Sequence, residues 1–194
     1  GHIIANSSQT KEELTRDLNV PEGKVTVVPL GVDDRFRPES RDDDDSFTIG
    51  YVGALKERKR VRLLIEAFLL LQKRYPELGK RARLVICGTG PQRKYITSLI
   101  SKLELNNIEV KGFIPESNLV KIYNNFDVFV FPSRYEGFGL PILEAQRSGV
   151  PVLIMEDARI PVEVIDSTIR CKDLRDLVDK IYLLLTDELL RRKV

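Results

Sequence analysis

From residue 47 to the end, short apolar runs alternate with stretches in which apolar residues recur every three or four positions. The runs are typical of buried strands, and the recurring pattern is typical of helices that cover a sheet. Strands are predicted at residues 47–52, 83–87, 108–111, 127–131, 151–155 and 168–170, and helices at 61–74, 92–103, 118–124, 141–148 and 173–185. This alternation predicts an α/β fold, a doubly wound Rossmann-like parallel sheet with helices on both faces.

The start of the chain has a pattern of its own. Residues 3–7 are strand-like, Thr10 to Glu13 has the spacing of a capping box that opens a helix, and residues 24–28 form a second strand-like run. A polar stretch that contains four consecutive aspartates at positions 42–45 follows. The predicted organisation is a strand–helix–strand unit at residues 1–32, a linker at 33–46 and the main domain at 47–194.

One segment after the strand at 127–131 holds residues suited to binding an anion. It contains Gly137, Phe138, Gly139 and Leu140, followed by Pro141. Proline is favoured at the start of a helix, because its missing N–H would have no partner there. Backbone N–H groups at a helix N-terminus bind phosphate oxygens, so we expect residues 137–140 to offer theirs to a phosphate.

Two carboxylates border the same place in the sequence. Glu136 lies in the loop before the predicted helix, and Glu144 lies about one turn into it. Ionised carboxylates accept hydrogen bonds only, which suits a ligand rich in hydroxyl groups. Two acids beside an anion site therefore indicate a phosphorylated sugar. The alternative is an ordinary strand–turn–helix unit with a surface glutamate at each end.

The segment from Glu136 to Glu144, with Gly-Phe-Gly-Leu-Pro between the acids, resembles the Glu-x7-Glu signature of retaining nucleotide-sugar glycosyltransferases with the GT-B fold, family 4 in particular. Five further segments fit that family in the same order: Val28-Pro-Leu-Gly-Val-Asp33, Tyr51-Val-Gly-Ala-Leu55, Leu63-Leu-Ile-Glu-Ala-Phe68, Leu84-Val-Ile-Cys-Gly-Thr-Gly-Pro91 and Gly112-Phe-Ile-Pro115. The resemblance covers most of the chain. It implies the C-terminal, donor-binding half of a GT-B fold, with residues 1–32 as a remnant of the N-terminal acceptor domain.

The resemblance also implies a reaction. A sugar would pass from a nucleotide diphosphate sugar to an acceptor hydroxyl on a sugar, lipid or polysaccharide, with retention at the anomeric carbon and without cofactor or metal. Glu136 would be the catalytic residue and contact the donor sugar, Glu144 would bind the ribose, and the amides of residues 138–140 would hold the diphosphate. We expect the isolated chain to be inactive, and residues 3–29 to pack poorly, to be mobile or to pack on a neighbouring molecule, because their own sheet is absent.

Departure of a nucleoside diphosphate leaves negative charge, which fixed cations stabilise. Arg58 and Lys59 stand where the resembled family has its diphosphate-binding lysine, and Lys59 is the better match. The family often has an arginine directly after the strand-end glycine, but here Gly53 is followed by Ala54. The sequence therefore resembles one branch of the family, which has a small residue directly after this glycine and an Arg-Lys pair further along the chain. The alternative is a basic loop exposed to solvent.

The nucleotide base has candidate contacts at the end of the strand at 108–111. The resemblance implies that backbone groups of Phe113 and Ile114 contact the base, and the alternative is that both are core residues. The turn Gly88-Thr-Gly90 does not complete a dinucleotide fingerprint, because Arg93 stands where a third glycine is required. A nicotinamide dehydrogenase is therefore disfavoured, while a nucleotide-binding or regulatory module without turnover stays open.

Composition and net charge limit the kinds of partner, metal site and location that are expected. A net charge of +2 over 194 residues gives no large field of one sign, so no nucleic acid is expected. His2 is the one histidine, and the aspartate run lies in a polar linker, so no metal site is expected. Two cysteines far apart suit a reducing cytoplasm. The location expected is cytoplasmic, and the resemblance allows peripheral association of the full-length protein with the inner face of a membrane.

Overall fold

The computed structural model describes residues 1–40 and 46–193, which form eight strands and eight α-helices. The strands are β1 Ile3–Ala5, β2 Val25–Val27, β3 Phe47–Val52, β4 Ala82–Cys87, β5 Ile108–Gly112, β6 Val128–Phe131, β7 Val152–Met155 and β8 Thr168–Cys171. The helices are α1 Ser8–Asp17, α2 Val61–Arg74, α3 Pro76–Arg81, α4 Arg93–Lys102, α5 Glu116–Asn124, α6 Leu140–Arg147, α7 Leu174–Thr186 and α8 Glu188–Arg191.

Six strands form one parallel sheet in the order β5-β4-β3-β6-β7-β8. The chain runs outward from β3 to β5, returns to the centre, and then runs outward on the other side from β6 to β8. The strand order therefore reverses between β3 and β6. Ligands of such sheets bind beyond the carboxyl ends of the strands at this reversal. The predicted parallel α/β fold is confirmed.

The sheet is buried because its strands are apolar on both faces. All four residues of β6 and all four of β7 are buried. Leu64, Phe68 and Leu71 on one side of α2 are buried as well, as expected for a helix that covers a sheet. Cys87 and Cys171 are free and buried, and burial raises the pKa of both thiols to about 12. Among the helices that the structure describes, none is long and apolar enough to cross a membrane.

The N-terminal unit differs from its prediction in two respects. Helix α1 begins at Ser8, because the Ser7 side chain already accepts from the backbone N–H of Thr10, so the capping box predicted from Thr10 to Glu13 is wrong. Strands β1 and β2 form a separate two-stranded parallel sheet. The first strand ends at Ala5 and not at residue 7. No residue of α1 is buried, and Ile4 and Leu18 are exposed, as expected for a unit that packs poorly, although Ser7 is fully buried and bonded to the main domain.

Two short helices, α3 and α8, were not predicted. α3 follows α2 directly and begins with Pro76, and α8 is one turn capped by Asp187. The aspartate run of the predicted linker lies outside the described residues. The division into a unit, a linker and a main domain stays a prediction.

Candidate functional site at the reversal of strand order

Two loops meet where β3 and β6 end side by side. The two strands pair with Ile49 opposite Val128 and Gly50 opposite Phe129. After β3 the chain turns through a short 3-10 helix, Glu57–Lys59, and after β6 it runs through a loop into α6. The sheet therefore brings the predicted basic loop and the predicted acidic loop to the same edge.

The Lys59 and Glu136 side chains form a buried ion pair. Lys59 Nζ lies 2.5 Å from Glu136 Oε1, and the two side chains are only 9% and 8% exposed. The same Nζ lies 4.9 Å from the centre of the Phe131 ring. Burial lowers the pKa of the Lys59 ammonium, and the hydrogen bond to Glu136 opposes that shift. Lys59 is thus not part of a solvated basic loop, although its neighbour Arg58 is exposed.

Arg58 approaches the same carboxylate from the solvent side. Its Nη1 donates to the carbonyl oxygen of Tyr135 at 2.6 Å and lies 3.6 Å from Glu136 Oε2. The Arg58 side chain is 45% exposed. Both predicted cations therefore lie at the predicted catalytic carboxylate, and Arg58 is the one with more surface open to a ligand.

Main-chain hydrogen bonds hold the loop that carries Glu136 on two sides. Arg134 N donates to Arg58 O at 2.8 Å, and Glu136 N donates to Arg159 O at 2.9 Å. Tyr135 also forms a parallel bridge with Arg159. Since these bonds come from backbone groups of two other loops, the position of Glu136 depends little on side-chain freedom.

The predicted amide cluster, defined here as the backbone N–H groups of residues 137–140, lies at the N-terminus of α6. Gly139 is the N-cap residue and has a φ of 107°, a conformation that favours glycine. Within the described part of the chain, no N–H of the amide cluster donates a hydrogen bond. Phe138 is buried, while Gly137 is exposed beside it. The cluster can therefore donate to an anion.

Glu144 is held by a buried hydroxyl group. The Tyr123 hydroxyl, from α5, donates to Glu144 Oε2 at 2.6 Å, and the Tyr123 side chain is fully buried. Desolvation raises the pKa of the Glu144 carboxyl, and the bond from Tyr123 opposes this shift in part. Glu144 is partly exposed, so it can still accept from a ligand.

The turn after β4 packs closely on the end of β3. A Cβ added at Gly88 would lie 1.8 Å from Gly53 O, so only glycine fits there. At the end of β5, Phe113 is 76% exposed and Ile114 is partly buried. Phe113 is therefore not a core residue, whereas Ile114 packs against the core. Within the described residues, no hydrogen bond joins these two positions to the Lys59–Glu136 pair.

Three features of the site were not predicted from the sequence. They are the ion pair between Lys59 and Glu136, the Tyr123 hydroxyl on Glu144, and the contacts from α1 to the loop of Glu136. Each joins groups far apart in sequence, and no local pattern marks them. In the part of the chain described, no cluster of three or more His, Cys, Asp or Glu side chains could hold a metal ion. A metal-independent reaction stays a prediction.

Residues 32–194 match the family described as glycosyl transferases group 1. An uncharacterized glycosyltransferase of Methanocaldococcus jannaschii is 33% identical over 166 residues, which are 78% of this chain and 41% of that protein. The chain thus spans less than half the length of this curated relative.

Solved structures give the same result. The C-terminal domain of a glycosyl transferase group 1 family protein, LpcC of Francisella tularensis, is 28% identical with a TM-score of 0.69, over 84% of this chain and 92% of that one. The Anabaena protein HepE, solved with UDP and glucose, has a TM-score of 0.82 at 20% identity, over 97% of this chain and 54% of that one. The second likeness concerns the fold alone.

Proposed function

Because the chain belongs to the glycosyl transferases of group 1, we propose that it binds a nucleotide diphosphate sugar at the carboxyl ends of β3 and β6. In the whole protein the sugar would pass to an acceptor hydroxyl with retention at the anomeric carbon. The observation that carries the proposal is the buried Lys59–Glu136 pair next to the unpaired amide cluster. Cations, a carboxylate and free N–H groups are the three kinds of partner that a phosphorylated sugar requires.

Cations should contribute more to diphosphate binding than the amide cluster does. A helix N-terminus contributes about 0.3–1 kcal/mol at an exposed site. A unit charge about 4 Å away gives about 4 kcal/mol at an effective dielectric near 20, before desolvation is subtracted. Arg58 is exposed, and Lys59 lies at the same carboxylate on its buried side. These two side chains would therefore set the affinity for the diphosphate. The amides of Phe138, Gly139 and Leu140 would set the orientation.

Glu136 would accept hydrogen bonds from hydroxyl groups of the donor sugar. Its two oxygens face Lys59 and Arg58, which balance its charge in the absence of ligand. When the diphosphate arrives, both cations gain a second anion, and the carboxylate oxygens gain sugar hydroxyls as partners. The departing diphosphate would be stabilised by the same two cations, so that no metal is required.

The nucleoside would lie towards Glu144 and the end of β5. Glu144, oriented by Tyr123, would accept from the ribose hydroxyls. Backbone groups at Phe113 and Ile114 would contact the base, and the exposed ring of Phe113 leaves that edge open. The acceptor would be a sugar, a lipid or a polysaccharide. We further propose a cytoplasmic location, with peripheral binding to a membrane by the whole protein.

A thermal-shift screen against UDP, GDP, ADP and their sugars in excess EDTA tests donor binding. UDP comes first, because the Anabaena protein of the same fold was solved with UDP and glucose. A rise in melting temperature with at least one nucleoside diphosphate supports the proposal, and no rise with any of them contradicts it. Transfer by the whole protein, abolished by Glu136→Ala, would distinguish an enzyme from a binding module without turnover.

A further inference from the structure

The first turn of α1 bonds to the backbone of the loop that carries Glu136. Ser7 Oγ lies 3.1 Å from Gly137 O and 2.9 Å from Thr10 Oγ1, so its single proton is shared between these two acceptors. Gln9 Nε2 donates to Glu136 O at 3.3 Å. Ser7 is fully buried, although it lies 130 positions before Gly137. Two successive carbonyl groups of the loop are therefore held by two side chains of the N-terminal unit.

These bonds fix the direction of two N–H groups of the amide cluster. In a planar trans peptide, the C=O of one residue and the N–H of the next point to opposite sides. The carbonyl of Glu136 points to Gln9, so the N–H of Gly137 points away from α1. The carbonyl of Gly137 points to Ser7, so the N–H of Phe138 also points away from it.

The loop requires such support because glycines lie on both sides of Phe138. Glycine tolerates a wide range of φ and ψ, so the peptide planes next to it turn easily. A Cβ added at Gly137 would meet nothing within 4 Å, so packing around this position does not restrain the backbone. The hydrogen bonds from Ser7 and Gln9 supply the restraint that packing lacks.

α1 is itself bonded to the rest of the chain at a point outside this loop. Ser8 N donates to Glu163 Oε1 at 2.7 Å. A second bond, from the Tyr135 hydroxyl to Glu13 Oε2 at 2.8 Å, joins the helix to the loop itself. Because the bond to Glu163 does not depend on the loop, the start of α1 can support the loop in one orientation.

We propose that Ser7 and Gln9 are positioning residues for the donor. They hold the two peptide planes so that the N–H groups of Gly137 and Phe138 face the diphosphate and sugar of the ligand. This inference rests on the proposed function. It assigns to the N-terminal unit a part in donor recognition, besides any part in binding the acceptor.

The variants that test the proposal are Ser7→Ala and Gln9→Glu. The first removes the donor hydroxyl, and the second places a carboxylate against the Glu136 carbonyl without a large change in shape. Ser7→Thr keeps the hydroxyl and should restore binding. Matched controls are Glu12→Gln and Asp17→Asn, exposed positions on the same helix, and Asp17 bonds its neighbour Arg16.

Calorimetry would compare UDP, GDP and ADP with the matching nucleoside monophosphates for each variant. We expect Ser7→Ala and Gln9→Glu to weaken binding of the preferred diphosphate about five- to tenfold, the range for losing one hydrogen bond. Binding of the monophosphate should change less than about twofold, because it lacks the phosphate nearest the sugar. A general loss of folding would weaken both ligands alike, whereas loss of the two positioning bonds should weaken the diphosphate selectively.

Amide NMR spectra of the unliganded chain give a second readout. The signals of Gly137 and Phe138 should shift in Ser7→Ala and Gln9→Glu, and not in the two controls. Unchanged diphosphate selectivity together with unchanged signals would overturn the inference and leave the proposed function standing. No binding of any nucleoside diphosphate by the parent chain would overturn the proposed function and this inference with it.

Discussion

Lys59 Nζ lies 2.5 Å from Glu136 Oε1, although the two residues are 77 positions apart and both side chains are buried. Each charge has lost most of its contact with water and keeps a partner of opposite sign. Removal of one member of such a pair leaves the other buried and uncompensated, which costs more than removal of both.

Lys59→Met should therefore lower the free energy of unfolding by about 3 kcal/mol, since Arg58 replaces the lost charge only in part. Glu136→Gln in the same chain should restore most of this loss. Urea denaturation of the two single variants and the double variant measures the coupling. Lys56→Met, in the same loop but exposed, should change stability by less than about 0.5 kcal/mol. If the two substitutions had additive effects on the free energy of unfolding, the Lys59–Glu136 ion pair would not stabilise the folded chain.

Gly139→Ala should lower the free energy of unfolding by about 1–2 kcal/mol, because its φ of 107° is strained for any residue with a Cβ. The added Cβ would make only ordinary contacts, the nearest at 3.4 Å, so the cost comes from the backbone. Gly137→Ala is the matched control, since its Cβ would meet nothing within 4 Å. Equal melting temperatures of the two variants would show that the N-cap conformation of α6 is not constrained.

Glu144→Gln should change how stability depends on pH. Because the folded-state pKa of Glu144 is raised, the folded chain holds its proton to higher pH than the unfolded chain. Its contribution to stability is complete below the ordinary pKa of glutamate and is lost as pH rises through the folded value. The variant lacks this loss, so its stability relative to the parent should increase as pH rises above the ordinary pKa of glutamate, about 4.3. Urea denaturation at a series of pH values, with exposed Glu12→Gln as the control, measures this difference. A constant difference would contradict a shifted pKa, and a decrease with pH would contradict its direction.

Glu144→Ala should abolish discrimination between ribonucleotides and 2′,3′-dideoxynucleotides. A hydrogen bond to a charged group contributes about 1.5–3 kcal/mol, so the parent should prefer the ribonucleotide about tenfold or more. Tyr123→Phe should reduce this preference without removing it, because Glu144 then loses the hydroxyl that orients it. Calorimetry with both kinds of nucleoside diphosphate gives the ratio. If Glu144→Ala left this ratio unchanged, Glu144 would not bind the ribose hydroxyls.

Elements with a clear hydrophobic period could be predicted from the sequence. β3 at Phe47–Val52 and α2 at Val61–Arg74 have the predicted bounds, because each is an unbroken apolar pattern that ends in turn residues. The cap of α1 was misplaced by three residues, because Ser7 and Thr10 can both cap a helix and only the contact between them decides. The resemblance around Glu136 and Glu144 indicated a glycosyltransferase, and the match of residues 32–194 to the glycosyl transferases group 1 confirms that.

Contacts within the site could not be predicted, because they depend on the order of the strands. Lys59 meets Glu136 only because β6 returns to lie beside β3. A parallel sheet with β6 at an edge would fit the same hydrophobic pattern and separate the two residues. The contact of Ser7 with Gly137 depends likewise on where the N-terminal unit packs. The roles of the site residues in binding and catalysis stay predictions.

Calorimetric titration of residues 1–194 with UDP, GDP and ADP in excess EDTA tests the central claim most directly. The account predicts that at least one of them binds without metal, with a dissociation constant between about 1 μM and about 1 mM, or about −8 to −4 kcal/mol. Lys59→Ala should weaken the binding of that diphosphate more than the binding of the free nucleoside. Absence of binding by a folded chain at millimolar concentrations of all three would contradict the claim that this sheet edge is a donor site.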